Sequence, residues 1–472
     1  MQPFRCAIIL LITCVFLAAC LPQEMPSNSG RPLSRNGEMV LFLQPLPQET
    51  LGLTFTIDQA KVLHSDGGET IIPLLFGRVD ASAHQNIQRK MAAVILSPGL
   101  YDGIALEIKT AAIATDKGPM ALLAPDETLL VKQPFEIRPG RASALFLSMG
   151  LSDADRQSIR FVPQFSLSPP PKGIVNLTGY ITDAKANTLT VLNKQDMRIV
   201  DVIATAQGPA DLAIDSLRRR AYVSAADDNQ IEVIDLMKRE KIESLRLFMN
   251  DRPVALALTP DGRTLVTANH GSNTVSLIDA LAMVEISRIS VGEGPTAVVI
   301  TPSGLKAAIL NTRASTVSII DLPQKTLAVT IGLEGEPVDA VVNRDSSRLF
   351  VISQNAPNLS IVDLNGLTVT HKVFVGAGGA CIAADDQTDL IYVGLAGVPE
   401  IAVIDPFALT LIDTFYPGGH PAFMVIESEE RHLFVTLPEQ KALKKINLIS
   451  KRTGAGIVVG QGAHTVAFLD ER

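Results

Sequence analysis

LVTANHGSNTVSLID, residues 265–279, consists of two short apolar runs joined by a polar turn that carries Asn269, Gly271 and Asn273. Each run is too short for a helix and rich in β-branched residues, so the stretch reads as strand, turn, strand. The same outline returns from about residue 180 to the C-terminus, and that repetition decides the fold. The residue closing the second run is Asn193, Asp235, Asp279, Asp321, Asp363, Asp405 and Asn447, spaced 42, 44, 42, 42, 42 and 42. Thirteen residues before each stands Tyr180, Tyr222, Val266, Ala308, Phe350, Tyr392 or Phe434, central to the preceding strand. A third anchor, mostly Pro after Gly, falls at Pro209, Pro253, Pro295, Pro337, Gly379, Pro421 and Ala463.

A period of 42 residues holding four short strands fits a β-propeller blade, because helical repeats need amphipathic helices that are absent here. Strand A follows the anchor (residues 296–300), strand B contains the aromatic position (348–352), strand C ends in Asp (359–363), and strand D runs towards the next anchor (370–375). Runs such as Val317-Ser-Ile-Ile-Asp321 are apolar on both faces, as stacked blades require. The first unit, residues 174–203, has no strand A, and the chain ends on a lone strand A at 464–469. Supplying one from the other completes seven blades and removes an open sheet edge. A recurring residue is explained by architecture: the strand C Asp accepts N–H bonds from its turn, the anchor presets the turn into strand A, and the aromatics pack.

The segments Leu265-Val-Thr-Ala-Asn, Asn273-Thr-Val-Ser-Leu-Ile-Asp279 and Thr259-Pro-Asp-Gly262 resemble the bacterial and archaeal family of seven-bladed propellers named for its Tyr-Val-Thr-Asn repeat. The resemblance covers residues 173–472 and implies the fold. It does not choose a function, since this architecture serves surface proteins, binding modules and some enzymes.

Upstream, residues 39–43, 53–57, 60–63, 70–75, 91–96, 104–108, 128–131, 135–137 and 144–147 are strand-like runs. Ser65-Asp66-Gly67-Gly68 and Asp116-Lys117-Gly118-Pro119 are hairpin signals between them. Residues 37–165 are therefore expected to form a β-sandwich. The segment from Leu96 to Ile108, with Pro98-Gly-Leu-Tyr101, resembles a prealbumin-like domain of bacterial lipoproteins, which implies a binding or spacer module. Three consecutive prolines at 169–171 make residues 166–173 the expected linker, with the propeller occupying 174–472. The fold class is thus all-β.

The first 19 residues have a single cationic Arg5 and an apolar stretch at 6–19, too short to span a bilayer and of the length of a signal h-region. Leu17-Ala-Ala-Cys20 resembles the lipobox of bacterial lipoproteins, which implies cleavage before Cys20 and lipid attachment to it. Leu21, rather than Asp, after that cysteine implies the outer membrane. Residues 20–36, rich in Pro, Ser and Asn, read as a lipidated tether reaching about 20–25 Å. Of four cysteines, two leave with the signal and one is acylated, so Cys381 remains as the lone thiol and no intrachain disulfide forms.

Of the 472 residues, 47% are hydrophobic and 19% charged, and the net charge of −8 speaks against nucleic acid as a partner. Nucleophile-elbow, zinc-protease, P-loop, Cys-x-x-Cys and haem-attachment motifs are absent. Chemistry is expected where the repeat is broken. Two residues after each anchor the ring reads Asp211, Ala255, Ala297, Asp339, Cys381, Phe423 and Thr465, with His420 and His464 within two residues of that row. If the row faces the channel, these groups converge on a cation or small ligand, Cys and His favouring a soft metal. The opposing reading is solvated carboxylates and a packed thiol. No cofactor is indicated. His270 and Arg218-Arg219-Arg220 read as solvated loop residues, and His64 and His84 have no evident partner. The expected protein is a lipid-anchored, non-catalytic platform for a protein or small ligand. The alternative is a propeller hydrolase, lactonase or metal- or cofactor-dependent oxidoreductase with its site at the channel mouth. Removing residues 463–472 is expected to lower the melting temperature steeply; an unchanged melting curve would rule out closure by the C-terminal strand.

Overall fold

The computed structural model describes residues 35–151, 159–171, 177–376, 378–427 and 431–469. The expected signal, Cys20 and nearly all of the tether lie outside them. After residue 177 the chain forms seven four-stranded antiparallel sheets. Sheet 1 pairs residues 178–204 with Ala463–Phe468, and sheets 2 to 7 occupy 209–246, 253–290, 295–332, 337–374, 379–415 and 423–458. The innermost strands touch in a closed cycle, each beside the next and the C-terminal strand beside Pro209–Asp215. This is the arrangement of a β-propeller. Strand positions follow the repeat: A at Pro295–Ile300, B at Arg348–Ser353, C at Asn358–Asp363 and D at Thr368–Phe374.

Local chemistry explains why each sheet turns where it does. Asn193, Asp235, Asp279, Asp321, Asp363, Asp405 and Asn447 each accept an N–H bond from the turn that follows. Four residues after each, Met197, Arg239, Met283, Lys325, Leu367, Leu409 and Lys451 take φ between 49° and 56°. That left-handed conformation costs a non-glycine residue about 1 kcal/mol, which the side-chain bond to the turn offsets. The seven central positions of strand B, Tyr180 to Phe434, are all buried, and the Tyr222 hydroxyl donates to Ala280 O at 3.0 Å.

Closure has its own fittings. Thr178–Asp183 pairs antiparallel with Ala463–Phe468. A Cβ on Gly179 would lie 2.6 Å from the Phe468 ring, so only glycine admits that ring, which packs 4.4 Å from Phe434. Beside the seam, Lys194 Nζ and Glu427 Oε1 meet at 2.7 Å with almost no exposure, joining sheet 1 to sheet 7.

Residues 37–168 form two sheets around one core. One sheet orders Pro163–Ser168, Ala142–Leu151, Gly37–Leu43 and Arg89–Leu96, with the central pair parallel. The other is built on Leu53–His64 and Gly99–Thr115. Bulges merge the runs expected at 53–57 and 60–63 into one strand, and likewise 128–131 and 135–137 into Leu129–Ile137. Both hairpin turns form where expected, after His64 and Thr115. Pro163–Ser168 extends three residues into the stretch read as linker. Tyr101 donates to Ser97 O at 2.7 Å and stacks on Phe135.

The run Met39–Leu43 is apolar at every position because both faces are covered. Met39, Leu41 and Leu43 enter the two-sheet core, while Val40 and Phe42, with Ala144 and Phe146, pack on Ile199, Phe434, Leu443 and Phe468 of the closure seam. Gln88, itself buried, donates to Ile199 O and accepts from Ile199 N–H. The N-terminal domain therefore braces the place where the ring closes. Glu427→Ala is expected to cost about 3–5 kcal/mol in urea denaturation, because Lys194 is left charged and buried. Replacing the exposed pair partner Asp58 should change nothing measurable. Equal, small effects of the two substitutions would show that the buried pair does not hold the seam.

Candidate functional site

Strand A of each sheet bonds to strand B on one side only, so its other edge, facing the channel, presents unpaired N–H and C=O groups. A bulge falls between the anchor and the row residue in sheets 2 to 6, which turns the row positions relative to the strand. Asp211 uses this geometry directly: Oδ1 accepts from Leu212 N–H at 2.8 Å and Oδ2 from Leu256 N–H of sheet 3 at 2.9 Å. Asp339 repeats it, accepting from Ala340 N–H at 2.9 Å and from Ile382 N–H of sheet 6 at 3.1 Å. Both carboxylates are latches between neighbouring sheets, made with edge donors that have no strand partner.

The two latches also feel each other. Burial pushes the Asp339 carboxyl up to about 7; its two N–H bonds oppose the rise and the charge of Asp211 adds to it. Burial likewise raises Asp211, against the bonds from Leu256, Leu212 and Thr465 and the nearby charge of His464. His464 is exposed, its Nδ1 3.1 Å from Thr465 Oγ1 and its ring 6.1 Å from Phe423. His420 lies half-buried in the connection into sheet 7 and bonds to none of the described residues.

Cys381 does not join them. Its thiol is buried in the core between sheets 6 and 7, where a Cβ on Gly394 would come within 2.6 Å of Sγ. Burial, reinforced by Asp339, holds the thiol well above the ordinary range, so it stays protonated and is a poor metal ligand. Among the described residues no group of three or more His, Cys, Asp or Glu side chains is placed to hold a metal ion.

Other expectations shift in the same direction. Arg218 is no free tip: it pairs with Asp215 at 2.8 Å and reaches Gly262 O of sheet 3. His270 touches the next anchor through Pro295 O at 3.3 Å. His84 is buried, with Nδ1 2.6 Å from Asp80 O and Nε2 3.1 Å from Arg89, and burial lowers its pKa. His64 bonds Thr70 and packs on Tyr101. Inter-sheet polar contacts that sequence did not reveal include buried Glu232, which takes Ala206 N–H and also pairs with Lys241 of its own sheet, and Asp385, which takes Arg431. A cleft of about 530 Å³ lies between the two domains beside Arg141, Pro169, Asp201 and Arg239. Each cation lining it has a carboxylate partner, such as Arg141 with Glu240 and Arg239 with Asp201.

No protein-family model matches the chain, and no curated protein matches it in sequence. Its fold is similar to that of a functionally unknown protein from Desulfotomaculum acetoxidans, with TM-score 0.56 and 16% identity over 62% of this chain and 99% of that one. Hydrazine synthase of Kuenenia stuttgartiensis aligns with TM-score 0.48 and 17% identity over 61% of this chain and 93% of that chain. Dihydro-heme d1 dehydrogenase NirN, solved in complex with DHE, aligns with TM-score 0.49 and 13% identity, covering 63% of this chain and 76% of its own.

The row is tested through Asp339. With a folded pKa near 7 against an ordinary 3.8, the native state holds a proton that the unfolded chain releases. Stability should therefore fall as pH rises from about 4 to 7 and stay low above it. Asp339→Asn should melt close to the parent at about pH 4 and above it at about pH 8. Parallel melting curves for the two proteins across that range would show that Asp339 does not titrate there.

Proposed function

We propose that this chain is a lipid-anchored protein of the bacterial cell envelope that presents a seven-bladed propeller of the Tyr-Val-Thr-Asn type as a non-catalytic binding platform. The C-terminal strand completes the ring, and an N-terminal β-sandwich braces it. One observation carries the reading: the two carboxylates in the channel row, Asp211 and Asp339, are occupied with backbone N–H groups of the next sheet. Carboxylates used to latch two sheets support a structural role for the row. The enzymatic alternative needs those same groups free, and Cys381, the third exception, is packed in the core.

The anchoring half of the proposal rests on Leu17-Ala-Ala-Cys20 and on the Pro- and Ser-rich residues after it. Acyl chains on Cys20, at about 0.8 kcal/mol per buried methylene, hold the protein at a membrane, taken as the outer membrane because Leu21 follows the cysteine. The partner on the propeller is a protein or small ligand. Radiolabelled palmitate should be incorporated into the full chain, and Cys20→Ser should abolish the label and release the protein from the membrane fraction. Label retained by the Cys20→Ser protein, or a parent protein found in the cytoplasm, would sink the anchoring.

A further inference from the structure

The repeat changes length once between anchors, from 42 to 44 residues between Pro209 and Pro253. The structure locates the two additional residues. In the connections from strand D to the next strand A after sheets 1, 2 and 3, the first residue donates its N–H to the B–C turn of the preceding sheet: Thr205 to Asn187 O, Leu247 to Asn229 O, Val291 to Asn273 O. The last donates its N–H to the Asn side-chain oxygen of the same turn: Gly208 to Asn187, Arg252 to Asn229 and Gly294 to Asn273. Two residues lie between these points at 206–207 and 292–293, and four at 248–251.

Those four residues present Phe248 at 66% exposure and Met249 at 86%, the most exposed large apolar side chain among the described residues. The loop beneath them is held firmly. Asp251, 1% exposed, accepts Phe248 N–H at 2.8 Å and both terminal nitrogens of Arg288 at 2.8 and 2.9 Å. The Arg288 guanidinium then lies over the Phe248 ring at 4.3 Å. Gly271 lets the next turn close in, since a Cβ there would sit 2.0 Å from Asn250 O. Burying an ion pair to fix an exposed apolar pair adds little stability, but it pre-organises a surface.

We propose that residues 248–251 are the docking anchor of the platform, received by an apolar pocket on a separate protein. The inference rests on the binding-platform reading above. D-to-A connections and B–C turns lie at one end of every sheet, and A–B and C–D turns at the other. The N-terminal domain docks at the C–D end, through Gln88 with Ile199, Arg141 with Glu240, and Arg239 with Pro171 O. The described chain also starts there, Gly140 N–H bonding Asn36 O, so the anchoring proposed above places the membrane at that end. Phe248 and Met249 lie at the opposite end, which directs them to a protein rather than to lipid. Aromatic anchors dominate such contacts, and Met adapts to an irregular pocket. Arg246, two residues before the loop and in no ion pair among the described residues, asks for a carboxylate on the pocket's rim.

A benzophenone-bearing residue at position 249 of the full chain, illuminated in intact cells, tests this. One protein adduct is expected, its yield falling about tenfold in Phe248→Ser and clearly in Arg288→Lys, which keeps the charge but loses the two-pronged bond. Phe248→Ser changes an exposed side chain and should leave the melting curve in place. Adducts only to lipid, only to a second copy, or unaffected by Phe248→Ser would overturn the proposal. So would no adduct at 249 while the same probe at Leu217 or Tyr416 captures a protein, an outcome that leaves the platform reading standing. Silence at all three positions would overturn both.

Discussion

Every sheet in this protein has two edges, and what becomes of those edges determines most of the remaining structure. Sheet 1 lacks its own inner strand, so Thr178–Asp183 would expose a full row of backbone donors and acceptors without Ala463–Phe468. Chain ends that meet in the same sheet tie sheet 7 to sheet 1 and so bind the ring as a whole. The fittings at that place follow from the need: a glycine that admits Phe468, a buried Lys194–Glu427 pair, and an N-terminal sheet laid across the seam. Apolar residues on both faces of Gly37–Leu43 are the sequence cost of covering a joint as well as a core.

Inner edges pose the complementary problem. Around the channel, strand A has no neighbour to accept its outward N–H groups, and a carboxylate from the adjacent sheet is a strong acceptor, at 2.9 Å for Asp211 and 3.1 Å for Asp339. Asp211 and Asp339 serve there. Their burial opposes ionisation, and the N–H bonds favour it, which leaves Asp339 near neutrality rather than at an ordinary carboxylate value. Each oxygen of Asp339 accepts one backbone N–H, and its raised pKa reports the balance between desolvation and those bonds.

Much of the fold was legible because its determinants are local. An Asp that caps its own turn and a left-handed residue four places on need only nearby chain, so they recur at fixed spacing and mark the sheets. Strands of the N-terminal domain were read in pieces because bulges interrupt alternation without ending the strand. Side chains whose partners only the fold selects were harder to read. Asp211 takes Leu256 N–H from 45 residues away, His84 takes a carbonyl and a guanidinium within five residues that spacing alone does not mark, and a packed thiol at Cys381 was one of the two readings its row allowed.

The contrast says which kind of irregularity matters in a repeat. A changed residue at a fixed position is still subject to the backbone around it, and the nearest unmet donor or void decides its use; Asp211, Asp339 and Cys381 were all absorbed in that way. A changed length cannot be absorbed so, because both ends of the connection remain pinned to the same turn atoms, as Leu247 and Arg252 are to Asn229. The surplus chain must leave the ring, and it carries Phe248 and Met249 into solvent with it. Apolar groups held outside the core by a buried Asp251–Arg288 pair run against the direction in which folding alone would drive them. Where Asp211, Asp339 and Cys381 each satisfy a neighbour, this departure from the repeat is left facing outward.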